Sequence, residues 1–557
     1  MKEYIVTLNK DADLDAFWAE IENSGNLAPT VPARSVAIVN NRDPMPRLCH
    51  YLLTDQEADT LRQDPRVAGV EIPPEQNPDI ILSRNRTVQF RDNFNKTSLS
   101  ISDYVNWGLV RNSSLTNSYG NSLISNIGYG YFVDGTGVDM VIVDSGIQAN
   151  HPEFRYIGNL TSRVQQINWF TESGVTGTMP GNFYTDYSGH GTHVAGIAAG
   201  QTYGWAKNAA VYAIKLEGLQ GATDPGSGLT IDQTFDVLVG WHERKMNPAS
   251  GYYTGRPTVV NMSFSYGAGI VNNFYLQGGN YRGNNWSTAN VWSNNTYGLT
   301  WYSGTTCPVR LASVDDGVET LVDAGINVCI SAGNENLKID VPGGLDYNNY
   351  FTTVQSVSGI GNLFYYQRGA SPYSGNALIV GAMDSTVYSS TTDQKATYSM
   401  AGPGVDIFAA GSNVMSACSN VDDIGGGQTY YWNSNYKQIN IGGTSMASPQ
   451  VAGIVSFYLE QYPNASPSTV KDWAVNNGTY TIYKPYDAED NDYSNNRSQW
   501  GGNAPVAFSS SQGALVSTVQ NNWAVANTVY IKTDSSFWTI VQNIYTKTSA
   551  NTWQKVY

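Results

Sequence analysis

Three short stretches of the sequence each place a reactive side chain among glycines and other small residues. Asp144 ends the apolar run in "VIVDSG", His190 lies in "SGHGTHVAG", and Ser445 lies in "GGTSMASPQVAGI". Histidine titrates near neutral pH and can take the proton of a serine hydroxyl, while a buried aspartate fixes the imidazole tautomer and stabilises its charged form. Together these residue types predict acyl transfer through a covalent acyl-enzyme.

Each residue also has a simpler interpretation. Ser445 stands where a Gly-Gly turn precedes a helical pattern, so its hydroxyl lies near unpaired N–H groups and the positive end of a helix dipole. A serine at that position can also merely cap the helix. Asp144 follows an apolar strand, where α/β folds gather their catalytic groups, but an aspartate there is more often a turn former or a helix cap. Neither residue alone decides the function.

His190 is the most suitable base among the five histidines of the chain. It begins a helical segment, whereas His50 belongs to a separate N-terminal unit, and His151 and His242 lie in loop and helix-face contexts. His190 and His193 have the HxxH spacing of a zinc site, but no third ligand follows at a suitable spacing. We therefore expect no metal here, and we expect His193 to pack against the sheet.

A parallel α/β sheet is predicted to position these residues. From about residue 136, short apolar strands alternate with helical segments, a pattern typical of a parallel sheet covered by helices on both faces. The strand-bearing segments are "VDMVIVDSG", "AAVYAIKLE", "TVVNMSFS", "VDAGINVCISAGN" and "NALIVGAMD". A Gly/Asn/Tyr/Trp-rich stretch at about 267–306 is expected to be an insertion of loops rather than core.

The rest of the chain is predicted to form separate parts. Residues 1–80 alternate strand and helix as a small α+β (ferredoxin-like) unit. Residues 81–135 follow as a polar linker and N-terminal arm, residues 136–510 as the α/β domain, and residues 511–557 as polar, aromatic strands.

The composition restricts the function classes. With 31 basic and 46 acidic side chains in 557 residues, the net charge is −15. This charge repels phosphate backbones and anionic lipids, so we expect neither a nucleic-acid nor a membrane partner. The start "MKEYIVTLNK" enters a strand-like run at once, so classical secretion and membrane insertion are not expected. The four cysteines lack the spacing of metal ligands and are expected to be reduced, buried thiols.

The three motifs, in the order Asp, His, Ser, resemble those of the subtilisin-like serine proteases. The similarity extends through "VVNMSFS", "SAGNEN" and "ATYSMAGPGVDIFAAG" and covers about residues 105–475. It implies a serine endopeptidase that acts on protein substrates and needs no cofactor for its chemistry. It assigns catalysis to Asp144, His190 and Ser445, and the oxyanion to the Asn334 amide and the Ser445 backbone N–H. It assigns substrate binding to Ser263, Phe264, Ser265, Ser331, Ala332 and Gly333.

Some positions depart from the family pattern. Ser265 and Tyr266 replace glycines that usually line the substrate groove, so the side-chain preference stays open. Gln450 and Ala410 replace a histidine and a proline without touching the chemistry. Glu153 occupies a position often given to a calcium-binding aspartate, yet the segment after the histidine motif is short and lacks the calcium loop of the bacterial subtilisins. A structural calcium elsewhere stays open.

Both ends of the chain resemble parts of other proteins. The N-terminal unit, through "YIVTL" and "LTDQEADTLRQDPRVAGVEI", resembles the subtilase propeptide, an inhibitor and chaperone of the enzyme. At the C-terminus, "YIKTDSSFWTIVQNI" and "YTKTSANTWQKVY" form a repeat, and each unit is predicted to be a β-hairpin. Such hairpins resemble the C-terminal ends of tailed-bacteriophage structural proteins, which implies virion proteins as partners.

Two function classes follow. The first is a serine endopeptidase made as a proenzyme and located on a phage virion, or otherwise in the cytoplasm. The second is a structural virion component that retains a latent or inactive subtilase fold, which the added C-terminal repeat favours. The complete set of Asp144, His190 and Ser445 argues for the enzyme.

Overall fold

A computed structural model describes most of the chain residue by residue. The described residues are 1–9, 12–22, 38–40, 48–72, 93–94, 96, 105–121, 124–125, 129–131, 133–156, 158–269, 276–287, 297, 306–357, 361–421, 423–479, 482, 529–532, 538–541, 545–549 and 552–555. Contacts divide the chain into two compact units, one of residues 1–85 with 527–557 and one of residues 86–526. The predicted domain boundaries near residues 80 and 510 lie outside the described residues.

The N-terminal part is a small antiparallel sheet with two helices. Its elements are β1 (Lys2–Leu8), α1 (Leu14–Glu22), β2 (Ile38–Asn40), β3 (Leu48–Leu53), α2 (Asp55–Leu61) and β4 (Val67–Glu71). The sheet order is β2-β3-β1-β4, and the succession βαββαβ is that of a ferredoxin-like fold. Tyr4, Val6 and Leu8 alternate inward along β1, as a strand with one buried face requires. The predicted α+β unit is confirmed.

The larger unit contains nineteen described strands and seven described helices. Its strands are β5 (Asn93–Phe94), β6 (Ile124–Ser125), β7 (Asp139–Asp144), β8 (Val164–Gln165), β9 (Ala210–Lys215), β10 (Thr258–Met262), β11 (Gly267–Gly269), β12 (Leu276–Tyr281), β13 (Asn284–Trp286), β14 (Thr306–Pro308), β15 (Asn327–Ser331), β16 (Tyr350–Val357), β17 (Gly361–Phe364), β18 (Leu378–Ser389), β19 (Thr392–Lys395), β20 (Ile407–Ala410), β21 (Val414–Cys418), β22 (Gln428–Thr429) and β23 (Lys437–Ile441). Its helices are α3 (Gly108–Arg111), α4 (Trp169–Ser173), α5 (His190–Ala199), α6 (Ile231–Met246), α7 (Ala312–Asp323), α8 (Thr444–Gln461) and α9 (Pro467–Asn476), with a short 3₁₀ turn at Pro152–Phe154.

A central, mostly parallel sheet organises this unit. Its order is β19-β18-β15-β10-β7-β9-β8, with β20 beside β18, and β19 is its antiparallel member. The register places Met262 of β10 beside Val143 of β7 on one side and Ile330 of β15 on the other. The carboxyl ends of these three strands therefore lie at the same edge, as the alternation of strands and helices predicts.

Two hydrophobic cores cover the two faces of the sheet. Val141 and Val143 of β7 belong to a core with side chains of α4, α6 and α7. Met140 and Ile142 of the same strand belong to a core with side chains of α5 and α8. Because successive residues of a strand point to opposite faces, this division confirms the predicted helices on both faces.

The segment at 267–306 is not simply an insertion of loops. Among its described residues, β11 pairs with β14, and β12 pairs with β13 and β16, outside the central sheet. Trp286 is 7% exposed and belongs to the core beside α6. A Cβ on Gly279 would lie 2.6 Å from Cζ2 of Trp286, so this glycine makes room for the ring within a strand. The expectation of loops without core is wrong because glycine here serves packing rather than turn formation.

The C-terminal repeat forms two hairpins in its backbone. β24 (Val529–Lys532) pairs with β25 (Trp538–Val541), and β26 (Tyr545–Ser549) pairs with β27 (Thr552–Lys555). Lys532 lies opposite Trp538, and Lys547 lies opposite Trp553. The matching residues of the two repeat units thus face each other in the same way in both hairpins, as predicted.

All four cysteines are free and buried, as predicted. Among the helices that the structure describes, none is long and apolar enough to cross a membrane.

Candidate active site

Asp144 and His190 meet in a direct hydrogen bond. Asp144 is the last residue of the buried strand β7, and His190 is the first residue of α5, as predicted. His190 Nδ1 lies 2.8 Å from Asp144 Oδ1, and this oxygen also accepts the Ser145 N–H at 2.8 Å. The Asp144 side chain is 1% exposed and that of His190 is 27% exposed. With Nδ1 donating to the carboxylate, Nε2 is the ring nitrogen that can accept a proton.

Asp186 connects the end of β7 to the start of α5. Its Oδ1 accepts the Ser145 hydroxyl and the Gly189 N–H, each at 2.9 Å, and its Oδ2 accepts the Thr192 N–H at 2.9 Å. The carboxylate caps the helix because Gly189, at the N-cap, has no side chain to do so. Sequence reasoning missed Asp186, whose signal is an acidic residue one turn before the first helical residue.

The same two carboxylates raise the pKa of His190. Burial by itself lowers the pKa of the ring, but the charge and hydrogen bond of Asp144, together with the charge of Asp186, outweigh burial. The pKa of His190 therefore lies above the usual value of about 6.5 for histidine.

His193 contributes to the structure rather than to the site. It is fully buried, and its Nε2 donates to the carbonyls of Val414 and Ile439, each at 3.1 Å. Burial lowers the pKa of its ring to about 3, so the ring stays neutral. Its ring therefore joins α5 to the small sheet of β21 and β23.

Ser445 lies in the first turn of α8, directly after the Gly-Gly turn. Its hydroxyl donates to the backbone oxygen of Ser263 at 3.1 Å rather than to the ring of His190. Ser263 follows β10 and is adjacent to Asp144 in the parallel register, so Ser445 is held at the strand edge that carries the aspartate. Hydrogen bonds between catalytic groups are often loose in unliganded enzymes and tighten when substrate binds.

Two hydrogen-bond donors converge beside Ser445. Asn334 Oδ1 accepts both the N–H and the hydroxyl of Thr444 at 2.9 Å, so the amide nitrogen of Asn334 points elsewhere. A Cβ on Gly443 would lie 3.5 Å from Asn334 Nδ2 and 3.6 Å from the backbone N of Ser445. The space left by the missing side chain is therefore lined by the two donors that the resemblance to subtilisin-like proteases assigns to the oxyanion, a role that stays a prediction.

The six residues assigned to substrate binding lie at the ends of two adjacent strands. Residues 263–265 follow β10, and residues 331–333 end and follow β15. Ser265 is exposed and the other five are buried. Tyr266, which replaces a glycine of the family pattern, is half-buried and packs edge-on against Phe264, with ring centroids 6.2 Å apart. The roles of these residues in binding stay predictions.

Glu153 does not offer a calcium site. Its carboxylate is fully buried, with Oε1 accepting the Tyr430 hydroxyl at 2.7 Å and Oε2 accepting the N–H groups of Thr202 and Tyr203 at 2.7 and 3.2 Å. These donors occupy the oxygens that a cation would need. Within the part of the chain that the structure describes, no group of three or more His, Cys, Asp or Glu residues could hold a metal ion.

A sequence model described as the subtilase family matches residues 135–501, well over half of the chain. The chain belongs to the subtilase family. Membership confirms the predicted subtilisin-like α/β fold and makes the protein a subtilisin-like serine endopeptidase, as the motifs imply.

The individual relatives have low sequence identity to this chain. The chain is 27% identical over 430 residues to the extracellular serine proteinase of Thermus sp. (strain Rt41A), covering 77% of this chain and 70% of the relative. It is 27% identical over 424 residues to alkaline serine exoprotease A of Vibrio alginolyticus, covering 75% of this chain and 53% of the relative. A solved structure of a cold adapted subtilisin-like serine proteinase matches 68% of this chain and 93% of that chain at 22% identity, with a TM-score of 0.40.

Replacing Asp144 with asparagine should lower the pKa of His190, because the variant loses the charge and the acceptor that favour the protonated ring. An NMR titration of the histidine ring protons measures this pKa. Asp423→Asn is the matched control, because this carboxylate accepts the Ala222 N–H and does not contact His190. The same pKa in Asp144→Asn and the unmodified protein would contradict the prediction.

Proposed function

We propose that Asp144, His190 and Ser445 act as a catalytic triad that hydrolyses peptide bonds. The observation that carries this proposal is the hydrogen bond of 2.8 Å between His190 and a buried Asp144, at the sheet edge that also holds Ser445. A carboxylate that orients an imidazole beside a serine is the arrangement that activates a weak nucleophile at neutral pH.

The reaction proceeds in two stages. Ser445 Oγ attacks the carbonyl carbon of the peptide bond while His190 Nε2 takes its proton, and Asn334 Nδ2 and the Ser445 N–H stabilise the negative oxygen that forms. His190 then gives the proton to the departing amine, which leaves the acyl group on Ser445. Water attacks the ester by the same route, His190 acting first as base and then as acid, and the carboxylic acid product is released.

Ser445→Ala, in a chain freed of residues 1–80, should lose both peptide hydrolysis and labelling by a fluorophosphonate, a reagent that modifies activated serines. The loss in stability should be only about 1 kcal/mol, because the variant loses a single hydrogen bond, from the Ser445 hydroxyl to the Ser263 carbonyl. Ser456→Ala, on the same helix with its hydroxyl on the Gly453 carbonyl at 2.6 Å, is the control and should label normally. The labelling rate should increase as the pH rises through the pKa of His190, because the neutral ring is the form that accepts the proton.

Labelling that persists in Ser445→Ala would place the nucleophile elsewhere. A folded chain that is freed of residues 1–80, carries no substitution and still does not label would instead support the second class, a structural protein that keeps the subtilase fold without its activity. The observation that favours this class is that the Ser445 hydroxyl donates to Ser263 O rather than to His190.

We propose that residues 1–80 act as an inhibitory propeptide. Their support is the resemblance of "LTDQEADTLRQDPRVAGVEI" to subtilase propeptides and the ferredoxin-like topology of β1–β4 with its own buried core. A segment that folds around its own core can bind the enzyme as a preformed inhibitor, at a smaller cost in ordering than an unfolded peptide.

The isolated segment 1–80 should therefore inhibit peptide hydrolysis by a chain that lacks it, measured with a chromogenic peptide at increasing concentrations of the segment. If processing occurs, N-terminal sequencing of the mature protein should place the cleavage between about residues 75 and 105, a stretch that lies largely outside the described residues. A fully active chain that still begins at Met1 would contradict inhibition.

We propose that the two C-terminal hairpins attach the protease to a phage virion. The support is the repeat itself, with Lys532 opposite Trp538 and Lys547 opposite Trp553, and its resemblance to the ends of phage structural proteins. Two-stranded hairpins bury too little to be stable alone, so they need a surface to pack against.

Truncation after about residue 515 should leave the rate of peptide hydrolysis unchanged and abolish co-purification with virions, measured by density-gradient fractionation and immunoblotting. Loss of hydrolysis with retained binding to particles would reverse these roles and overturn the proposal.

A further inference from the structure

The carbonyl oxygen of Ser445 lacks the hydrogen bond that a helix normally provides. In an α-helix this oxygen accepts the N–H of the residue four positions later. That residue is Pro449, inside α8, and proline has no N–H. The proline ring also crowds the carbonyl of the residue four positions before it and tilts that carbonyl away from the helix axis. The backbone of Ser445 therefore needs a partner outside α8.

The side chain of Ser263 is that partner. Its hydroxyl donates to the Ser445 carbonyl at 3.0 Å, across 182 positions of the sequence. In the opposite direction, the Ser445 hydroxyl donates to the Ser263 carbonyl at 3.1 Å. The two residues are thus joined by a reciprocal pair of hydrogen bonds between the end of β10 and the start of α8.

Asn261 and Ser448 fix the direction of this contact. The Ser448 hydroxyl donates to Asn261 Oδ1 at 2.7 Å, and Asn261 Nδ2 donates to Ser263 Oγ at 2.9 Å. Because Ser263 Oγ already accepts from Asn261, its own hydrogen is free to point at Ser445. All three side chains are buried, with exposures of 0% for Asn261 and Ser448 and 3% for Ser263. Because all three side chains are buried, the loss of any one of them leaves a polar group without its partner, which costs free energy.

We propose that the Ser263 hydroxyl is a positioning residue for the nucleophile, replacing the helix hydrogen bond that Pro449 removes. This inference rests on the proposed role of Ser445. The contact holds the Ser445 backbone, and hence both the hydroxyl that attacks and the N–H that faces the oxyanion. A displacement of about 1 Å in such groups can lower a rate about 100-fold.

Ser263→Ala tests the role without removing the Ser263 backbone, which is the part of the residue that could pair with a substrate backbone. We expect kcat for a peptide substrate, and the rate of fluorophosphonate labelling, to fall between about 10- and 100-fold. KM should stay about the same, because the substrate-facing backbone is retained. Ser456→Ala, a buried serine of α8 that does not touch Ser445, should leave kcat unchanged.

Pro449→Ala provides a rescue that a merely structural role of Ser263 does not predict. Alanine at 449 restores an N–H aimed at the Ser445 carbonyl, so Ser263→Ala with Pro449→Ala should regain most of the lost kcat. A kcat in Ser263→Ala equal to that of the unmodified protein overturns the inference. So does a double variant that regains thermal stability but not kcat.

If Ser263→Ala does not fold, the variant Ser448→Ala tests the positioning role in its place. It frees Asn261 to turn and leaves Ser263 in place, so kcat should fall by a smaller factor, and an unchanged kcat overturns the inference. Ser445→Ala separates this result from the proposed function. If that variant keeps its activity, the triad itself is wrong; if it is inactive while Ser263→Ala is fully active, the positioning role alone is wrong.

Discussion

The parallel pairing of β7, β10 and β15 is the constraint on which the rest of the site depends. Because Val143, Met262 and Ile330 are in register, the residues that follow them, among them Asp144 and Ser263, lie side by side at one edge of the sheet. A slip of one residue would exchange the two faces of a strand. The buried side chains on both faces of β7 oppose such a slip, since each face has its own core. The packing of the two cores against β7 thus fixes how close Asp144 and Ser263 lie at the edge of the sheet.

His190 and Ser445 lie at the starts of α5 and α8. Both helices are capped by side chains from outside the helix. The N-cap residues of α5 and α8 are Gly189 and Gly443, which have no side chain. Asp186 caps α5 and also raises the pKa of His190, while Asn334 Oδ1 accepts the first N–H of α8, and its Nδ2 lines the space over Gly443 together with the Ser445 N–H. Each capping residue therefore also acts on a group of the candidate site, so a substitution at either one would change a helix start and the site together.

The sequence predicted the elements of the site better than the contacts between them. Asp144 and His190 fall at the strand end and helix start expected of them because apolar runs and glycines mark those positions locally. The contact between Ser263 and Ser445 joins residues 182 positions apart. A local sequence pattern cannot predict which distant hydroxyl donates to a given carbonyl. The stretch at 267–306 was wrongly predicted to be loops because its composition is rich in glycine and asparagine. Gly279 lies instead in a strand, paired with Trp286, whose ring occupies the space of a Cβ.

Pro449 shows why such contacts arise at a site of this kind. A proline inside a helix usually costs about 3 kcal/mol or more, part of it from the lost hydrogen bond. In α8 that bond is replaced by one from Ser263, so the start of the helix is tied to the central sheet instead of to its own next turn. Ser445 is thereby hydrogen-bonded to the residue that follows β10, the strand that also borders Asp144. Where Pro449 leaves the Ser445 carbonyl without its helical donor, the Ser263 hydroxyl thus links the start of α8 to the end of a strand of the central sheet.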